Sequence, residues 1–75
     1  LQLGKLRSLS GKDVCSILAK HGFEEIRRRG SHIAMQKKLK IGTITVPVPD
    51  HKELRIGTLM SIIRQSGIDK REFEV

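Results

Sequence analysis

The chain has 75 residues, with fifteen Lys or Arg against eight Asp or Glu and a formal charge of +7. A chain this short buries only about 60% of the surface it exposes unfolded, which argues against a deep, walled site for a large cofactor and leaves any chemistry to an open surface. The cationic surplus favours a polyanionic partner: nucleic acid, an anionic membrane surface or an acidic protein.

Residues 1–9 carry no clear periodicity and read as an extended lead-in; since the first is Leu1 rather than Met, a start upstream is expected. Ser10 followed by Asp13 has the spacing of a capping box, with Asp in place of the usual Glu or Gln. Val14, Ile17, Leu18 and His21 then fall at helical spacing, flanked by Cys15 and Ala19, and Gly22 supplies a left-handed stop. The spacing predicts a helix over residues 11–21. Residues 23–29 read as a strand with Ile26 and Arg28 on one face and Arg27 and Arg29 on the other. Gly30-Ser31 is a turn of hairpin length. Residues 32–38 return as a strand, with Ile33 and Met35 inward and His32, Ala34 and Gln36 outward. Residues 38–42 read as a basic loop. Residues 43–46 form a third, β-branched strand with Ile44 and Val46 inward, which Pro47 and Pro49 end while holding residues 46–50 extended. Ile56, Leu59, Ile62 and Ile63 give a second helical stripe, closed by Gly67. Asp69 and Glu72 suggest another capping box, opening a terminal turn that includes Phe73.

The order helix, three strands, helix with short connections predicts an α+β fold with a three-stranded antiparallel sheet and both helices on one face. The other face is left to solvent, carrying His32, Arg27, Arg29, Thr43 and Thr45. No repeat or domain boundary interrupts the chain, so residues 1–75 are expected to form a single domain. With no apolar run near the roughly 18–20 residues of a membrane span and no signal peptide, a cytoplasmic protein without a membrane partner is expected.

Charge is distributed unevenly. Between Ile26 and Pro49 stand six cations (Arg27, Arg28, Arg29, Lys37, Lys38 and Lys40) and no acid. The run Arg27-Arg28-Arg29-Gly30-Ser31-His32 sets phosphate-binding guanidinium groups beside a side chain that can exchange a proton near neutral pH. These are the parts RNA cleavage needs, because the RNA's own 2'-hydroxyl can be the nucleophile. The same run is also what a basic hairpin with an incidental histidine would show.

Gly22-Phe23, Gly30-Ser31-His32, Val46-Pro47-Val48-Pro49 and the run from Leu54 through Gly57-Thr58-Leu59 and Ser61-Ile62-Ile63-Arg64-Gln65-Ser66-Gly67 follow one another at characteristic spacing. Over residues 10–68 the chain resembles the HicA (YcfA-like) toxins of bacterial HicA–HicB toxin–antitoxin pairs. The resemblance implies a double-stranded-RNA-binding-domain-like fold, an mRNA interferase activity and neutralisation by a HicB-like antitoxin that covers the active surface. It also implies that the histidine of Gly-Ser-His, here His32, is catalytic. Many members carry a second histidine directly after the first; this chain has Ile33, which alternation turns inward.

His32 can serve as base for the 2'-hydroxyl or as acid for the leaving 5'-oxygen. Arg27, Arg29, Lys37, Lys38 and Lys40 can hold RNA phosphates and stabilise the developing charge. Ser31 is read as orienting His32 or contacting a phosphate rather than as a nucleophile. No metal or other cofactor is called for, since no Cys/His cluster has zinc spacing. His51 reads as a solvated loop residue or a second acid–base group, His21 as a helix-end residue and Cys15 as a buried thiol. With Phe23 and Phe73 the only aromatics, base stacking on the open face is scarce, so affinity should rest on phosphates and fall with salt. The same hairpin would equally serve a non-catalytic RNA-binding module or a basic docking protein for an acidic partner.

Overall fold

A computed structural model describes residues 8–74. Helix α1 (Gly11–Lys20) begins where two residues cap each other. The Ser10 hydroxyl accepts from the Asp13 backbone N–H, and Asp13 Oδ2 accepts from the Ser10 N–H, both at 3.0 Å. The helix ends at Lys20, one residue short of the expected span, with Gly22 at φ +93° where a Cβ would be strained. Strands β1 (Glu24–Arg29), β2 (His32–Leu39) and β3 (Gly42–Pro49) form an antiparallel meander in the order β1-β2-β3. Helix α2 (Ile56–Ser66) ends on Gly67 at φ +73°.

Both helices lie on one face of the sheet. Val14, Ile17 and Leu18 of α1 and Leu59, Ile62 and Ile63 of α2 join Ile33, Met35, Val46 and Val48 of the sheet in one core. Each such side chain contributes about 1.5–3 kcal/mol of transfer free energy on full burial. The expected α-β-β-β-α arrangement, double-stranded-RNA-binding-domain-like with helices on one face, is the one observed.

Local details differ from the expectations, each for a physical reason. Strand β1 contains a bulge: Glu25 faces Met35 and Arg27 faces Ala34, so Ile26 is an extra residue. Strict alternation would have set it inward beside Arg28; the bulge leaves it 48% exposed. Strand β3 runs through its prolines, with Pro47 opposite Ala34 and Pro49 opposite His32. Proline has no N–H to offer, but β3 is an edge strand and the missing donor faces away from the ladder. The basic loop is shorter than expected, because Lys38 pairs with Thr43 and Leu39 with Gly42, leaving Lys40-Ile41 as the turn. Ile56, the first residue of α2, is 61% exposed; buried Leu54 supplies apolar contact just before the helix.

The ends are tied in from both sides. Of the expected lead-in, residues 1–7 lie outside the described residues, while Leu9 is buried and its carbonyl accepts from the Leu54 N–H at 2.8 Å. Asp69 alone caps a short 3-10 helix (Lys70–Phe73), accepting from the Arg71 N–H at 2.9 Å. Glu72 does not complete a capping box but turns to His21, with Oε1 3.3 Å from Nε2. Phe73 is fully buried in the core.

Candidate functional site

The site grows from the alternation of side chains along β1. Arg27 stands opposite Ala34 and Arg29 opposite His32, on the open face; Arg28 stands opposite Ile33, on the helix side. The three consecutive arginines therefore have two different roles. Arg28 Nη1 donates to Asp50 Oδ2 at 2.8 Å, and its Nε lies 4.0 Å from Glu25 Oε2. That hydrogen bond holds the Asp50 carboxyl below its ordinary value. Among the described residues, neither Arg27 nor Arg29 forms an ion pair. Both keep their donors for a ligand.

His32 is the first residue of β2, exposed, with Arg29 beside it on one strand and Pro49 on the other. Gly30 at φ +60° makes the turn that brings Arg29 and His32 together. Exposed Ser31 lies in that turn, and its carbonyl accepts from the Asp50 N–H at 2.6 Å, which latches the turn to the end of β3. Arg27, Arg29, His32, Ala34 and Pro47 line one open depression of about 220 Å³. It combines cationic hydrogen-bond donors, one imidazole and an apolar patch.

The three lysines are not brought into this group. Lys38 is on the same face but six residues along β2, about 20 Å away by strand rise. Lys40 lies in the turn at the opposite end of the hairpin. Lys37 is on the helix side, its ammonium 6.0 Å from the centre of the Phe23 ring. His51 lines a separate depression with Ser10, Lys12, Asp50 and Lys52. Its carbonyl accepts from the Gly11 N–H at 2.9 Å, so its loop turns toward the helices and not over the sheet.

Burial, and then the Glu25 and Asp50 carboxylates, push the Cys15 thiol up, away from the thiolate a nucleophile needs. Among the described residues no three His, Cys, Asp or Glu side chains converge as a metal site, and no helix is long and apolar enough to cross a membrane. Local pattern reading missed Asp50 as the partner of Arg28, and Ala34 and Pro47 as walls of the depression. The alternation that sets Arg28 apart was visible, but its partner is 22 residues away.

A family model described as the HicA toxin of bacterial toxin-antitoxin matches residues 11–68. The chain belongs to the HicA toxin family. No curated protein matches it. The HicA match runs from the first residue of α1 to just past Gly67 and contains the whole hairpin and its depression. Leu9 and Phe73 lie outside it, yet both belong to the core on which this HicA-family sheet rests.

Proposed function

We propose that this HicA-family toxin is a metal-independent endoribonuclease acting on mRNA in the cytoplasm, with His32 as its proton-transfer residue. A base takes the proton of the 2'-hydroxyl, and that oxygen bonds to the adjacent phosphorus. The bond from phosphorus to the 5'-oxygen breaks, and an acid returns a proton to the leaving oxygen. The products are a 2',3'-cyclic phosphate and a free 5'-hydroxyl. His32 carries one of these protons, a role typically worth 10²–10⁴-fold in rate. Arg27 and Arg29 bind the phosphate and offset the charge that grows on its non-bridging oxygens. Ser31 orients His32 or contacts a neighbouring phosphate, and Lys38 and Lys40 lie farther along the RNA. Lys37, held on the helix side, is left out of the contact.

One observation carries the reading: an exposed histidine shares a depression with two arginines that no described carboxylate neutralises. Family membership supports it, and so does a charge of +7. A HicB-like antitoxin with acidic side chains would lie over the same face, cover His32 and exclude RNA. The whole chain acts as one domain in this reading.

The test is incubation of mixed single-stranded RNA with the protein in EDTA, beside His32→Ala. Cleavage leaving 2',3'-cyclic ends, lost in His32→Ala while RNA binding persists, is the expected result. Binding without cleavage by the unaltered protein would make it an RNA-binding module instead.

A further inference from the structure

We infer that the depression beside His32 is a seat for a single nucleobase, with Ala34 and Pro47 as its apolar floor and Arg27 and Arg29 holding the adjoining phosphates. This rests on the reading of the open face as an RNA-binding surface and names what that surface grips besides phosphate.

RNA-binding sheets usually stack bases on exposed aromatic rings. Here Phe23 and Phe73 are 2% and 0% exposed, both in the core, so the ring this face offers a base is the His32 imidazole, with no Phe, Tyr or Trp beside it. What the face offers besides is a flat aliphatic patch. Ala34, half-buried in the central strand, lies between Arg27 on β1 and Pro47 on β3. A methyl group there leaves a hollow that any longer side chain would fill, and the Pro47 ring extends the same floor. The planar guanidinium groups of Arg27 and Arg29 at the rim can stack on a base's face as well as bind phosphate. The hollow, about 220 Å³, is smaller than the roughly 300–1,000 Å³ of sites for drug-sized ligands, which suits one ring system rather than a stacked pair. Charge fits the same occupant: a base brings its own phosphates to the unpaired arginines.

The experiment uses short RNA that cannot be cut, its 2'-hydroxyls methylated, and a matched set with the base removed at each internal position in turn. Affinity of the protein is measured by fluorescence anisotropy at low salt, for the unaltered chain, Ala34→Leu and Thr43→Leu. Thr43 is exposed at the far end of the same face, so its leucine variant reports on adding an apolar side chain to the sheet away from the hollow. Removing the seated base should weaken binding to the unaltered protein and to Thr43→Leu about ten-fold, the effect of burying roughly 55 Å² of apolar surface at about 25 cal/mol per Å². In Ala34→Leu the intact and abasic RNAs should bind alike. Equal binding of both RNAs by the unaltered protein, or a base dependence that survives in Ala34→Leu, overturns the seat. No cleavage enters the measurement, so a protein that cuts no RNA can still show the seat, and an active nuclease can lack it.

Discussion

Arg28 Nη1 and Asp50 Oδ2 meet at 2.8 Å, joining the middle of an arginine run to the residue after β3. The backbone N–H of the same aspartate donates to the Ser31 carbonyl at 2.6 Å. One residue thus neutralises the arginine that faces the helices and holds the turn that precedes His32. The two arginines on the open face are left for a ligand.

Stability should depend on that carboxylate as acid is added. The hydrogen bond from Arg28 lowers the Asp50 pKa below 3.8, so its contribution is complete above 3.8 and is lost as pH falls through the lower folded value. Asp69 behaves alike, held at about 2 by the Arg71 side chain and then by the Arg71 N–H. Asp50→Asn should be less stable than the unaltered chain at neutral pH and should lose less on acidification. Urea midpoints measured from neutral pH to below 3.8 check this, and parallel curves for the two proteins would rule it out.

Salt dependence separates the basic residues. Each phosphate contact to single-stranded RNA contributes about 0.7 to the slope of log K against log salt. Arg27→Ala and Arg29→Ala should each lower the slope by about that amount. Lys37→Ala should leave it unchanged, because its ammonium lies over Phe23 behind the sheet. A slope that falls with Lys37→Ala and not with Arg29→Ala would put the RNA on the wrong face for this proposal.

Gly11→Ala sets helix propensity against packing. Propensity favours Ala over Gly by up to about 1 kcal/mol inside a helix. A Cβ on Gly11, however, would run into the Pro49 carbonyl oxygen and lie 2.9 Å from Asp50 Cα. Both are backbone atoms and cannot rotate away, and overpacking of this kind typically costs about 1–3 kcal/mol. Packing wins, and the variant should unfold at lower urea than the unaltered chain; a raised midpoint would contradict the close approach of α1 to the end of β3.

Phe73 is five residues beyond the family match and is 0% exposed. Phe73→Ala should cost about 3–5 kcal/mol. A chain of 75 residues has only about 4–11 kcal/mol in all. The variant is therefore expected to be largely unfolded or close to it, as circular dichroism and urea titration would show. A midpoint within experimental error of the unaltered chain would mean that the terminal turn is not part of the core.

The sequence by itself determined the order of elements, the capping box at Ser10, the inward row of Ile33, Met35, Ile44 and Val46 that leaves His32 in solvent, and the family. These are local or periodic signals: period two along a strand, three to four along a helix, and glycine where the chain turns. Tertiary structure decided which cations share a site. Arg28, which alternation already set apart from Arg27 and Arg29, found its carboxylate 22 residues away, and Lys37, expected among the phosphate-binding cations, went behind the sheet. The bulge exposed Ile26, the edge position let β3 keep its prolines, and cross-strand register set Ala34 and Pro47 side by side beneath the arginines. Each of these depends on contacts between segments far apart in the chain, and no local pattern of residue types encodes the register that brings them together.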